Sequence, residues 1–410
     1  MFNKVINTLV SIFNEGAYTN IIVSNTINTS NFNDSDKKLY TKLVYGVVEN
    51  KLLIDYHLQP LIKGQRVKPF IKNALRVGVY GFDNLNLAKH YLVDSIVSAV
   101  KKKDYKASTF VNAILRKYQN TAIRTLDNLP KLDYLSIKYS LDKDLTNLLY
   151  KQYKNKLEEF FSNSEESINT YRINTIKTNK EYIENYLKEN SIAYNITSNV
   201  ILQTKQSLIN TNIFKDGLIV AQDKSSIMTS IIANPKENDL ILDCCSAPGS
   251  KSMHMASIIN NKGTIISLDV HEHKIKLIED NANKLGVTCV KAYQKDATTV
   301  SFDEKFDVIL ADVPCSGLGV IRHKPDLKYQ MTLEKIENIK TLQKSIVNNV
   351  IKYLKDGGSF IYSTCTINKD ENELFIKEFI KNNPKFKIEE EIITLPSSNE
   401  DGFYICKLRG

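Results

Sequence analysis

The sequence predicts a multidomain chain: an all-α N-terminal bundle, a small α+β middle unit, and a larger α/β domain built on a doubly wound parallel sheet. Three observations carry this prediction. Residues 1–125 keep apolar side chains at helical spacing almost throughout. Residues 171–203 switch to short runs ordered strand, helix, strand, strand. From residue 235 onward, apolar β runs alternate with helical stretches, the pattern of a parallel sheet with a crossover after each strand.

Each element follows from its own residues. The first 18 residues read as an amphipathic helix, which Asn3, Asn7, Asn14 and Glu15 interrupt too often for a signal peptide. Leu39, Leu43, Val44, Val47 and Val48 keep helical spacing, as do Leu75, Val79, Leu92, Ile96 and Val100. Pro60, Pro69, Gly81 and Asp83-Asn84 punctuate the segment, and 110–118 forms a further helix. Residues 130–165 read as polar helix, with a loop expected over 161–167. Strands are expected at 171–175, 192–194 and 200–203, with a helix at 180–189 and an exit segment at 217–223. The last part carries β runs at 240–245, 264–269, 287–293, 307–312 and 359–364, with helices such as 252–259 and 274–285 between the earlier ones. A tail at 386–395 and 402–408 reads as a closing hairpin. The expected domains are therefore 1–127, 128–215 and 216–410.

A hydrophobic content of 42% with 25% charged residues places the chain among ordinary globular proteins. No run of 18 apolar residues occurs, so no transmembrane helix is expected and the cytoplasm is the expected compartment. Charge is uneven. Residues 1–130 hold 18 Lys and Arg against 9 Asp and Glu, a net +9, while the remainder holds 37 of each sign. A basic domain joined to a neutral one suits a nucleic-acid-docking module attached to a catalytic body; a general drift toward Lys and Asn is the bland alternative. All six cysteines lie in the C-terminal part. Adjacent Cys244 and Cys245 make no disulfide framework and no C-x-x-C pair suggests zinc, so the thiols are expected to be reduced and no metal is expected. His271-Glu272-His273 reads as a solvated helix start.

The chemistry-bearing residues sit at strand ends. Asp243 closes the first β run, and Cys245-Ser246-Ala247-Pro248-Gly249-Ser250-Lys251 turns into the next helix. Small residues there let a ligand approach the backbone, but the spacing is neither of the two glycine-rich phosphate-loop patterns. Asp269 closes the second run, placed to bind both ribose hydroxyls; Asp296 follows the third and Asp312 closes the fourth. Four carboxylates at successive strand ends line one crevice. Such an acidic pocket suits an adenosine-type cofactor that lacks phosphates and carries a positive sulfonium, which points to S-adenosylmethionine. Two cysteine motifs complete the set, Pro314-Cys315-Ser316 and Thr364-Cys365-Thr366, each just after an apolar run. A thiolate is the side chain best suited to add to an electron-poor ring carbon. Cys244, Cys289 and Cys406 lie inside apolar runs and read as core.

The set Asp243…Pro248-Gly249-Ser250-Lys251, Asp312-Val313-Pro314-Cys315-Ser316-Gly317 and Ser363-Thr364-Cys365-Thr366…Glu371-Asn372 resembles the RNA cytosine-C5 methyltransferases of the NOL1/NOP2/Sun family. Residues 43–48 and 110–116 are similar to the NusB-type RNA-binding domain that precedes the catalytic part in the bacterial 16S ribosomal RNA members. The likeness runs over essentially the full length. Ser250 departs from the family pattern, which carries a second glycine there.

This resemblance implies a NusB-like leader, an RRM-like middle unit and a class I, Rossmann-like methyltransferase domain. It also implies methylation of carbon 5 of a cytosine in 16S ribosomal RNA, free or in an assembly intermediate, by a monomer. Family roles assign nucleophilic attack to Cys365, product release to Cys315, and the contact to N3 of the base to Asp312. Lys251 is left with three partners: the cofactor carboxylate, the base or Asp312. Cys245, Ser246, Ala247, Pro248, Gly249, Ser250, Lys251, Asp269, Asp296 and Asp312 form the expected cofactor set. DNA cytosine-C5 enzymes attack with the Pro-Cys cysteine, so the opposite assignment of the thiols stays open on the residues alone. Arg322-His323-Lys324 could hold RNA backbone or be a solvated loop. Two other readings compete. An amino-methyltransferase would carry an aromatic where Cys315 stands, to stack on the flipped base. A non-catalytic RNA-binding or antitermination factor would have no use for the pocket and both thiols.

Overall fold

A computed structural model describes residues 1–162, 168–397 and 400–410. The chain divides into two compact units, one of residues 1–158 with 321–333, the other of residues 159–320 with 334–410.

The first unit is helical. Helices Phe2–Asn14, Thr19–Asn28, Asp34–Glu49, Lys51–Leu58, Pro69–Asn84, Lys89–Lys101 and Tyr105–Gln119 enclose one core. Of the residues expected to face inward, Leu43, Val44, Val47, Val48, Leu75, Val79, Leu92, Ile96 and Val100 are buried there, and Leu39, nearer the start of its helix, is partly buried against the same core. Fully burying such a side chain contributes about 1.5–3 kcal/mol. The starts are marked by local polar chemistry: Asn33 accepts from the Asp36 amide and Asp104 from the Ala107 amide, while Pro69 opens its helix at N1. Helices Lys131–Lys138 and Lys143–Tyr153 also belong to this unit, which thus continues beyond residue 127. The expected loop at 161–167 lies mainly outside the described residues; Phe161 and Ser162 still belong to helix Lys156–Ser162.

The second unit contains two sheets. The smaller runs β1 (Asn169–Ile173), helix Lys180–Glu189, β2 (Asn195–Thr197), β3 (Ile201–Thr204), helix Asn212–Lys215 and β4 (Ile219–Ala221). Its strands pair antiparallel in the order β2-β3-β1-β4, the β-α-β-β-α-β arrangement implied by an RRM-like unit. Two details differ from expectation. The strand expected at 192–194 begins at Asn195, because Ser191 takes a positive φ of 53° and the Ile192 amide closes the preceding helix onto the Leu187 carbonyl. The exit segment at 217–223 supplies β4, an edge strand. This small sheet shares a compact unit with the larger one: Arg172 donates to Gln222 and Ser257, and Asn174 donates to the carbonyls of Gly217 and Leu285.

The larger sheet has seven strands in the order β10-β11-β9-β8-β5-β6-β7. These are β5 (Leu240–Asp243), β6 (Thr264–Asp269), β7 (Val290–Gln294), β8 (Phe306–Asp312), β9 (Leu354–Thr364), β10 (Lys387–Thr394) and β11 (Phe403–Arg409). β5 to β9 are parallel; the closing hairpin β10-β11 is antiparallel and makes the sheet mixed. Helices Lys224–Ala233, Ser250–Ile258 and Glu272–Leu285 cover one face, and Leu333–Val350 with Glu373–Asn382 the other. The order reverses at β5, whose neighbours are β6 and β8, so the carboxyl ends of β5, β6 and β8 open onto the crevice of a topological switch point.

Residues 321–333 follow the Pro-Cys turn in sequence yet pack within the helical unit. Tyr329 donates to the Val48 carbonyl, Gln330 to that of Ala17, and Asp326 accepts from the Thr19 amide. Buried Lys328 donates to the carbonyls of Glu49 and Tyr139, at 3.2 and 2.9 Å. Burial lowers its pKa from 10.5 to about 8, with the Glu49 charge opposing the shift. Between those pH values the unfolded chain holds a proton that the folded one has released, so folding is favoured as pH rises. Wild type should therefore gain stability over Lys328→Met as pH rises from 8 to 10.5, by on the order of 3 kcal/mol. Denaturant unfolding followed by far-UV circular dichroism checks this; a difference that stays flat across the window contradicts it.

Candidate active site

β5 ends in Asp243, whose carboxylate is fully buried. Burial pushes its pKa up to about 6, opposed by a hydrogen bond from Ser252; the nearby Asp312 charge pushes the same way as burial. Ser252 donates to Asp243 Oδ2 at 2.5 Å and also meets the hydroxyls of Ser246 and Ser267, each at 2.8 Å. Among the described residues, Asp243 Oδ1 has no hydrogen-bond partner. Asp243 is thus a support beneath the loop, tying β5, the loop, β6 and the next helix together. Ser252 and Ser267 were not singled out in the sequence, because a single serine in a helix or strand carries no signal of its own.

The loop itself is tight. The Ala247–Pro248 peptide is cis, the Ser246 amide donates to the Leu268 carbonyl, and the Gly249 amide to that of Ser246. Gly249 has a φ of +94°, and a Cβ there would meet Met253 Cε at 3.2 Å and Ile278 Cγ2 at 3.3 Å. Glycine is required at this point. Ser250, in contrast, is the first residue of helix Ser250–Ile258 and does not have a positive φ, so the departure from a second glycine leaves the turn intact. Cys245 is partly buried against the core, while Cys244, Cys289 and Cys406 are buried as expected.

The remaining carboxylates lie at their expected strand ends. Asp269, at the end of β6, accepts from the His271 amide at 3.0 Å and lies 3.4 Å from Lys274 Nζ. Asp296, beyond β7, caps a turn by accepting from the amide and hydroxyl of Thr298. His271 and His273 are exposed and stack on each other at 5.5 Å at the start of helix Glu272–Leu285. Asp312, at the end of β8, accepts from Ser363 Oγ at 2.7 Å and pairs with Lys251 Nζ at 2.5 Å. Of the three partners open to Lys251, this structure pairs it with Asp312. Burial disfavours the lysine charge, but Asp312, Asp243 and Cys365 outweigh it and raise its pKa, so Lys251 stays an ammonium.

Cys315 Sγ and Cys365 Sγ stand 3.3 Å apart, although the residues are 50 positions apart in sequence. Their two turns are bound to each other. The Gly319 amide donates to the Cys365 carbonyl and accepts, through its own carbonyl, the Gly402 amide. A Cβ on Gly319 would sit 2.0 Å from the Gly402 carbonyl oxygen, so only glycine permits this approach. Asn372 brackets Cys365 from both sides, accepting from Thr364 Oγ1 at 2.6 Å and donating to the Thr366 carbonyl at 2.9 Å. Glu371 is fully buried and accepts from the Ser316 amide. Cys315 has its thiol pKa raised well above the ordinary value, by its hydrogen bond with Cys365, by burial, and by the charges of Cys365 and Glu371. It keeps its proton. In the sequence Glu371-Asn372 carried the resemblance without a role; the structure shows what the pair holds.

The comparisons agree with this geometry. Residues 230–409 match the 16S rRNA methyltransferase RsmB/F family, and residues 3–120 match the NusB family. A protein of Bacillus subtilis named probable ribosomal RNA small subunit methyltransferase B is 30% identical over 442 aligned residues, which cover 98% of this chain and 97% of that one. A tRNA (cytosine(72)-C(5))-methyltransferase of Pyrococcus horikoshii is 36% identical over 219 residues, covering 50% of this chain and 55% of the relative. The crystal structure of PH0851 shares the fold, with a TM-score of 0.84 at 24% identity over 100% of this chain and 99% of that one. Since the likeness runs from end to end and the matched segment holds both cysteine turns, the chain belongs to the RsmB/F family of 16S rRNA methyltransferases.

Proposed function

We propose that this chain methylates carbon 5 of a cytosine in 16S ribosomal RNA, free or in an assembly intermediate, through a covalent bond between Cys365 and C6 of the base. The observation that carries the reading is the thiol pair at 3.3 Å, beside the Lys251–Asp312 ion pair at the sheet's switch point. The residues fit S-adenosylmethionine: Asp269 for the ribose, Asp296 and Asp312 along the acidic crevice, and a tight small-residue turn at Gly249 whose φ of +94° suits glycine. When bound, this cofactor supplies an electrophilic methyl group.

Carbon 5 of cytosine is too weak a nucleophile to react unaided. The Cys365 thiolate forms the S–C6 bond, and the electron pair of the C5–C6 double bond moves to C5, which then accepts the methyl group. Asp312 steadies a proton on N3, which makes C6 more electrophilic, and Ser363 and Lys251 fix its two oxygens in place. The C5 proton then passes to solvent, its C–H electron pair re-forms the C5–C6 double bond, and the S–C6 bond breaks with its pair returning to Cys365 as thiolate, with Cys315 serving this release. The charges around the two thiols support the assignment. Cys365 acts on the Lys251 ammonium, which favours its thiolate, whereas Cys315 faces the Glu371 carboxylate. The helical unit serves as the RNA-docking module: Lys101, Lys102, Lys103, Lys106, Arg116 and Lys117 are all exposed on it. We place the activity in a cytoplasmic monomer.

Cells lacking this protein and complemented with variants test the proposal, with bisulfite sequencing of 16S ribosomal RNA and denaturing electrophoresis as readouts. Cys365→Ser should abolish methylation and leave no RNA-linked protein. Cys315→Ser should still attack but fail to release, so RNA-linked protein should accumulate. The reverse pattern would favour attack by Cys315, and methylation intact in both would remove covalent catalysis.

Purified protein should bind S-adenosylmethionine, and Asp269→Ala should weaken that binding by roughly 1–3 kcal/mol through loss of hydrogen bonds to a charged group. Unchanged affinity by calorimetry would take Asp269 out of the site.

A further inference from the structure

The carboxylate of Glu371 is the most heavily engaged buried group near the thiols, and neither attack nor methyl transfer uses it. It accepts from the Ser316 amide at 2.8 Å, from Ser316 Oγ, from Asn368 Nδ2 at 3.0 Å and from Gln343 Nε2 at 3.2 Å. Its own carbonyl accepts from Tyr362 at 2.7 Å. Two of the carboxylate's four donors belong to the residue next to Cys315. Gln343 extends the hold by donating to the Pro314 carbonyl, on the other side of Cys315, at 2.9 Å. Ser316 Oγ also meets Thr366 Oγ1 at 2.7 Å, and Thr366 adjoins Cys365.

A buried carboxylate is costly unless its lone pairs are filled; here Asn368 donates from beyond Cys365, while Ser316 and Gln343, which fill most of them, also fix the Cys315 turn. The neighbouring Asn372 does the same for the Cys365 turn. Two adjacent residues therefore each hold one of the two turns, with the Ser316–Thr366 contact bridging them. Removing Glu371 should loosen Cys315 while the Asn372 contacts keep Cys365 in place.

We infer that Glu371 is a positioning residue for the release half of the reaction: by gripping Ser316 it keeps Cys315 Sγ against the Cys365 adduct. This rests on the covalent reading above. Glu371 touches neither cofactor nor base; it acts through Cys315.

The test uses the full chain, 16S ribosomal RNA and S-adenosylmethionine, with Glu371→Gln, Glu371→Asp and Cys315→Ser side by side. Adduct on denaturing gels, single-turnover methyl transfer and cofactor affinity are the readouts. Glu371→Gln should transfer the methyl group but release the RNA at least about tenfold more slowly, so adduct builds up as in Cys315→Ser, while cofactor affinity stays within about twofold. Glu371→Asp, which keeps the carboxylate, should recover part of the release rate. A purely structural role would lower cofactor affinity and transfer together and build up no adduct; that outcome, or normal release by Glu371→Gln, overturns the inference. Should Glu371→Gln fail to fold, Ser316→Ala removes one donor and leaves the carboxylate; release several-fold slower supports the inference and release at the wild-type rate overturns it. If Cys315→Ser itself releases normally, it is the covalent reading of Cys315 that fails, a result separate from adduct in Cys315→Ser without adduct in Glu371→Gln.

Discussion

Strands β8 and β9 run parallel with Asp312 opposite Ser363, and the active-site geometry depends on that register. In parallel pairing both strands end on the same edge of the sheet, so the turns that follow them leave side by side. Cys315 lies three residues past Asp312 and Cys365 two residues past Ser363, which brings distant parts of the sequence within hydrogen-bonding reach. A slip of one residue would turn alternate side chains to the opposite face. It would remove the Ser363 hydroxyl from Asp312 and carry one cysteine away from the other. The bond from Ser363 to Asp312 locks this register at its functional end.

Around that pair the charges are arranged unequally. Lys251 lies on the side of Asp312 and Cys365; Glu371 lies on the side of Cys315. Two chemically identical thiols at contact distance would otherwise share a proton without preference. A positive neighbour favours the thiolate and a negative neighbour the thiol, which is why the proposed mechanism gives attack to Cys365 and release to Cys315. Asp243 stands deeper, under the loop, and its buried carboxylate organises serines from three elements rather than touching the chemistry.

Much of this was legible in the sequence because it is local. Apolar runs ending in Asp243, Asp269 and Asp312 placed three carboxylates at strand ends, and helical spacing marked the core of the first unit. What was not legible depends on contacts between distant residues. Glu371 meets Ser316 across 55 positions, and nothing about either residue announces the other. The partner of Lys251 could not be chosen from spacing, because Asp312 reaches it only once β8 lies beside β5. Arg322, His323 and Lys324 read as a loop that holds RNA backbone or is merely solvated, and nothing in them announced that residues 321–333 pack within the helical unit, where buried Asp326 and Lys328 and partly buried Tyr329 make their bonds. The strand start at Asn195 was missed by a few positions, since the apolar Ile192–Tyr194 stretch follows a left-handed Ser191 that closes a helix.

The division of labour between the two sulfurs is tested most directly with 16S ribosomal RNA in which cytidine is replaced by 5-fluorocytidine. Fluorine at carbon 5 cannot leave as a proton does, so a covalent adduct formed by the wild-type chain persists after methyl transfer. Digestion and mass spectrometry then locate the modified cysteine. The account predicts the nucleotide on Cys365 and none on Cys315; a nucleotide attached to Cys315, or no adduct at all, would contradict it.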